Sequence, residues 1–549
     1  MKNMKFSSLP FRFATIFAFS LLAISLLGGC NQATRAPRTL MLATVNDPQT
    51  LDPAKAYDTD SLPFVRVLYR GLVDYDEKAN IANEVAQSRS VSSDGKTYTF
   101  KLRPDVYFTS GRRVEANDFR YALERVLDPA TASEGLSQYT MIDGAEEYTK
   151  AKTKNEKADV HVRGIKTPDA NTIVFHLKAP NATFLNYLAL PFSYAVPREQ
   201  VEKYGKEFGE HPDGCGPFML DDWVHDAWLK LKRNPRYFHP DLPRTDRLEM
   251  QIGVSPTLQT MLFEQGRIDL LSLNTASGPE YLRLKRNPQW APLMLHAPEM
   301  DVRYLCLNTE MKPFDDVRVR QAMNYAINRD RIVSFQNGRA TKARGALPPG
   351  MPAYNPQLFQ YSYDPAKAKQ LLREAGYANG FPRPLTLWYS NASPWIPMAA
   401  QSIQEDLRRV GITISTKQTT YPELKAKAGQ RHNIEMSMLA WAQDFPDPSN
   451  FLDNLFNSSS ISDISSKNRA FYSNAKVDTM LNAALAETNR TRRLKMYEDA
   501  EAQIVQDAPW VFLHHTERYE LHQPWIEDYT LHPMWSERYE FVRVDDARR

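Results

Sequence analysis

Ser93–Arg103, SDGKTYTFKLR, holds two local instructions in eleven residues. Asp94-Gly95 suits a tight hairpin turn, because glycine reaches positive φ without a steric penalty. Tyr98, Phe100 and Leu102 then alternate with Thr97, Thr99 and Lys101, the period of a strand with one buried face. A second unit of this kind stands at 168–180, PDANTIVFHLKAP, where Ile173, Phe175 and Leu177 alternate with Thr172, Val174, His176 and Lys178. A helical stretch, DFRYALERVL at 118–127, lies between the two. Strand pairs bracketing a helix predict a mixed α/β chain, and the rest of the sequence keeps that mixture.

Further helices show their ends. Asp315-Asp316 opens DDVRVRQAMNYAINRDRIV, with Val319, Met323, Ala326 and Ile327 on one stripe. Asp364-Pro365 is a cap followed by proline at the first helical position, and that helix closes on Gly376. Met398 to Val410 predicts another, ended by Gly411 and followed by the strand alternation Ile412–Ser415. At 549 residues the chain exceeds one core, yet no Gly/Ser linker separates independent domains.

The N-terminus reads as an export signal. Lys2, Lys5 and Arg12 precede an apolar run, Phe13 to Leu27, too short to span a bilayer with ease. Leu27-Gly28-Gly29-Cys30 resembles a bacterial lipobox, so residues 1–29 are expected to be cleaved and Cys30 to receive lipid. Residues 30–38 would then form a lipidated tether. Cleavage removes three cations and no acid, leaving 65 Lys+Arg against 65 Asp+Glu. A neutral chain without a basic tract offers nucleic acid no electrostatic reason to bind. Cys215 and Cys306 remain, 91 positions apart, compatible with a disulfide in an exported protein or with two buried thiols; free thiols are the expectation.

Signals of catalysis are thin. G-x-S-x-G, H-E-x-x-H and a complete phosphate-loop pattern are missing from the sequence. His514 and His515 are adjacent, and on a strand they point to opposite faces. The paired acids Asp221-Asp222, Asp315-Asp316 and Asp545-Asp546 fit caps or solvated tails better than an acid/base pair. No enzyme, metal or cofactor is expected.

WAQDFPDP, residues 441–448, places Asp444 between aromatic residues and Asp447 between prolines. By local rules either is ordinary turn punctuation. Six segments in order change that reading: 51–76 (LDPAKAYDTDSLPFVRVLYRGLVDYD), 92–125, 214–223 (GCGPFMLDDW), 307–329, 363–377 and 441–451. Together they resemble the solute-binding proteins of peptide-type ABC importers, family 5 of the bacterial extracellular solute-binding proteins, over about residues 39–545. The resemblance implies a two-lobed periplasmic-binding-protein-like α/β fold with a hinge. Lobe I would take 39–69, 206–300 and 511–549; an extra α+β subdomain of that lobe 70–205; and lobe II 301–510.

The resemblance also implies a role for Asp444, pairing with the α-ammonium of a bound peptide. Tyr57 to Thr59 and Ala440 to Ala442 match segments that supply main-chain contacts to an extended ligand. Trp441 and Tyr304 would form cleft walls, with core packing the alternative for each. Asp447 would keep the turn.

The carboxylate end is less well matched. Met438 stands where oligopeptide binders often carry an arginine, and Trp395 stands about where others use a histidine. Arg339, Arg344 or Arg431 are candidates to replace them. A longer peptide, a cell-wall fragment, or a non-peptide solute such as a metal chelate or haem stays open; an exported enzyme is the more distant alternative. The expected partners are a peptide and the permease subunits of an importer, for a monomer lipid-anchored at the extracytoplasmic face of a bacterial cell envelope.

Overall fold

The computed structural model describes residues 35–155, 160–535 and 537–549. The signal, Cys30 and the start of the tether lie outside them.

The two hairpin-like units of the sequence join in one antiparallel sheet, ordered Ala86–Val91, Thr97–Leu102, Thr172–His176, Ile165–Asp169. Tyr98 faces Phe175 and Phe100 faces Ile173 across the central pair, so the predicted apolar faces coincide. Helix Ala116–Leu127 seals that face, burying Phe119, Leu123, Val126 and Leu127 in the same core. The turn is wider than a two-residue hairpin: Ser92 N–H donates to Thr97 O, and Gly95 takes a φ of 68° inside the loop.

A second sheet is built around Arg247–Gln251, which pairs in parallel with Thr39–Ala43 and antiparallel with Trp228–Arg233; Phe218–Val224 closes its edge. Both ends of the described chain meet here. Arg38 N–H donates to Asp546 at 2.7 Å, and the Arg549 guanidinium lies 3.7 Å from Asp269.

The largest sheet runs Leu270–Ser272, Trp510–His522, Asp301–Leu307, Met436–Ala442, Leu385–Ser390, Ile414–Thr419. Its inner strands are buried on both faces. Tyr304, Cys306, Trp510 and Phe512 enter one apolar core, while Leu305, Leu307, Val511 and Leu513 enter another, as period-two alternation requires. Helices Val317–Ala326, Pro365–Glu374 and Trp395–Arg409 cover the second core.

Strand Trp510–His522 ties the two lobes together. Its first residues pair with Arg303–Cys306, whereas Glu517–His522 pair with Met294–Pro298 and Leu270–Ser272. A register shift falls between Arg303 and Tyr304, near the point where the strand leaves one lobe for the other. Thr516 is fixed there by Asp301, whose carboxylate accepts from the Thr516 N–H and hydroxyl, both at 2.8 Å. Cys215 and Cys306 are buried free thiols.

Candidate functional site

Strand Met436–Ala442 runs out at the boundary between the lobes, and Gln443–Pro448 turns the chain into helix Ser449–Phe456. The two acids of this turn have different surroundings. Asp447 is buried: it accepts from Ser449 N–H at 3.0 Å and grips Arg493 with both oxygens at 2.7 Å. It is a turn residue and the acid of a buried bidentate ion pair.

Asp444 is half-buried and faces a cavity. Asn450, wholly buried, orients it: its amide donates to Asp444 Oδ2 at 2.9 Å, while its carbonyl oxygen accepts from Asp444 N–H and from the Trp441 indole. Tyr57 reaches across from the other lobe and donates its hydroxyl to Asp444 Oδ1 at 2.5 Å. Withdrawal from water raises the Asp444 pKa, opposed by these two hydrogen bonds and by the fields of Lys467 and Lys425. Each carboxylate oxygen has two acceptor positions, so Tyr57 and Asn450 leave room on both for a cationic guest. Phe445, the next residue, is buried in the core of the hairpin-bearing subdomain, 5.0 Å from the Tyr187 ring.

Two adjoining cavities hold all eight residues expected at the site. One, of about 350 Å3, is lined by Asp444, Tyr57 and Thr59 together with Arg66, Glu299 and Trp535. The other, of about 330 Å3, is walled by Thr59, Trp395, Trp441 and the strand Met438–Ala442. Thr59 belongs to both. Tyr304 borders the second, but its ring lies in the lobe core, 1 % exposed and stacked 3.4 Å from Trp510. The core alternative describes that ring.

The three arginines considered for a ligand carboxylate are elsewhere. Arg339 donates to the carbonyls of Leu273 and Ala276, Arg344 to that of Leu358, and Arg431 pairs with Glu310 and Asp463 at the surface. None lines either cavity.

Among the described residues no group of His, Cys, Asp or Glu is placed to hold a metal ion, and no helix is long and apolar enough to cross a membrane. A cleft between two lobes that share one strand, with an oriented carboxylate at its wall, is built to enclose a guest. The family model for bacterial extracellular solute-binding proteins, family 5, matches residues 80–463. The chain belongs to that family. It is 31% identical over 495 residues to the glutathione-binding protein GsiB of Escherichia coli O1:K1, covering 89% of this chain and 91% of that one. Its fold matches DppA of Helicobacter pylori, solved with the peptide STSA, at 27% identity and a TM-score of 0.76, covering 92% and 98%. The murein tripeptide binding protein MppA of Escherichia coli has the same fold, with 23% identity and a TM-score of 0.74 over 93% and 99% of the two chains. This is a solute-binding protein of the ABC-importer type, not an enzyme.

The sequence reading of this family-5 protein missed several contributors. Asn450 stands inside the quoted 441–451 segment, and an amide six residues after an acid that opens a helix was a usable signal. Arg493, Arg66 and Glu299 carried none, since their place at the site depends on long-range packing. Burial and the neighbouring charge of Asp301 push the Glu299 carboxyl up to about 7.

Proposed function

We propose that this binding protein captures short peptides through their free ammonium group, and that Asp444 is the residue receiving it. The supporting observation is the oriented carboxylate of Asp444, held from both lobes and open to the cavity. A charge-assisted bond to an ammonium is strong in such surroundings, and a ligand without one leaves a desolvated carboxylate unpaired. The ligands named for two relatives, glutathione and the peptide STSA, each carry a free amine. Strand Met438–Ala442 would pair with the extended ligand main chain, with Thr59 opposite and Trp441 and Trp395 as walls. Delivery is to importer permease subunits.

Asp444→Asn tests the site. Titration calorimetry with a tripeptide pool is expected to show affinity reduced more than tenfold, and N-acetylation of the pool to weaken binding to the wild type similarly. Unchanged affinity in either experiment removes Asp444 from the site. Lipid on Cys30 would hold the protein at the extracytoplasmic face. Cys30→Ser is expected to release it from washed membranes, and retention there contradicts the anchor.

A further inference from the structure

The cavity at Asp444 has a second carboxylate in its wall, Glu299. The cations that line the same space are already matched: Arg66 pairs with Asp74 at 3.5 Å, and Arg518 with Glu520 and, at 2.8 Å, with Glu537. Asp444 and Glu299 are held by neutral donors instead, and each is oriented by an asparagine. As Asn450 donates to Asp444 Oδ2, so the Asn274 amide donates to Glu299 Oε1 at 2.9 Å, and Tyr519 N–H fixes the Asn274 carbonyl oxygen at 3.1 Å. Glu299 is half-buried; among the described residues its Oε2 has no hydrogen-bond donor, and that oxygen is not sealed in the core.

Strand register explains why the two acids share one cavity. Asp301 stands opposite Ala442 in the antiparallel pair, and one step further Gln443 N–H donates to Met300 O at 2.9 Å. The next step sets Glu299 opposite Asp444, just past the end of the ladder. Glu299 is pinned from its other side as well, its N–H donating at 2.9 Å to Thr516 O on the strand that both lobes share. Its main chain is thus fixed where the chain crosses between lobes, and the carboxylate is presented from a rigid base. The fixed charges around it do not supply a partner. Asp301 and Glu520 oppose its ionisation, while Arg303 and Arg518 favour it but are each gripped by another acid. With its carboxyl pushed up to about 7, Glu299 gains from any cation that a guest brings beside it.

We propose that Glu299 is a second cation seat, so that the cavity prefers short peptides with a basic side chain on their first or second residue. The α-ammonium rests at Asp444 and the side-chain cation at Glu299. Facing positions of an antiparallel pair lie about 5 Å apart, so a cation that reaches Glu299 belongs to a residue at the amino end of the guest. This rests on the ammonium reading of Asp444 and adds a preference among the guests that carry an ammonium.

The test uses the full-length protein and trialanine carrying lysine, norleucine or glutamate at its first or second place, each with a free or an acetylated α-amine. In the wild type, lysine at one of those places is expected to bind about tenfold tighter than norleucine at the same place. In Glu299→Gln, which keeps an acceptor for Asn274, the two should bind within about twofold of each other, with the penalty for acetylation retained. Glu299→Asp keeps the charge and shortens its reach, so its lysine preference should fall between those values; it serves where Glu299→Gln fails to fold. A purely structural Glu299 lowers thermal stability and weakens all the peptides alike, leaving the lysine preference in place, and that outcome overturns the proposal. Equal binding of lysine and norleucine peptides to the wild type, or tighter binding of the glutamate peptides, also overturns it. If acetylation matters and lysine does not, Asp444 keeps its role and Glu299 loses its own. If the lysine preference depends on Glu299 while acetylation has no effect, the ammonium reading of Asp444 falls; if no peptide binds, both fall.

Discussion

At the scale of single residues, this protein buries several carboxyls in very different surroundings. Asp447 has Arg493 as a bidentate counter-charge, whereas Glu501, 1 % exposed, has only main-chain donors such as Leu347 N–H at 2.8 Å. Burial pushes the Glu501 carboxyl up to about 8 from its ordinary 4.5. The folded chain therefore holds a proton there that the unfolded chain has already released. Stability from this group is present at low pH and is lost as pH rises from about 4.5 towards 8, at no more than about 1.4 kcal/mol per pH unit. Glu501→Gln keeps an acceptor for Leu347 and removes the titration. Urea unfolding midpoints measured across that range should lose the part of their decline that this carboxyl contributes, and an unaltered slope contradicts its assignment.

At the scale of elements, what was legible followed from local chemistry. The cap at Asp364 accepts from Lys367 N–H, as its sequence predicts. The alternating residues of 97–102 and 172–177 share one core. The single helix read from 315–333 is in fact two, Val317–Ala326 and Arg329–Ser334. Asn328 interrupts it by capping the second helix, while its own N–H donates to buried Asp406. The apolar stripe persists through the break, so periodicity alone cannot show it. The helix expected at Met398 starts three residues earlier, at Trp395, because Pro394 takes helical dihedrals at its N-cap. The strand Trp510–His522 was illegible for a different reason: its partners lie some 200 residues upstream and belong to both lobes. Asp444 shows the same limit at the site. Its loop is local, but the hydroxyl that meets it comes from Tyr57, 387 positions away.

At the scale of the whole molecule, two lobes are held together by contacts within a few residues of the proposed ammonium site. Phe445 is buried in a core built mainly from the hairpin-bearing subdomain, and Tyr57 bonds Asp444 beside it. Removing the Phe445 ring withdraws about 2 kcal/mol of apolar burial from the closed arrangement. That is a roughly thirtyfold shift in an open–closed equilibrium. Phe445→Ala without ligand is expected to increase the radius of gyration in small-angle scattering, and an unchanged value shows that this contact does not govern closure. The meeting of residue 38 with residue 546 has a mechanical consequence. Any mooring at the front of the chain bears on the half that carries Tyr57 and Arg66, and no pull from it crosses the mouth of the clamp. With such a mooring, that half would act as a stator, and the jaw bearing Asp444 would be free to swing against it without dragging the anchorage along.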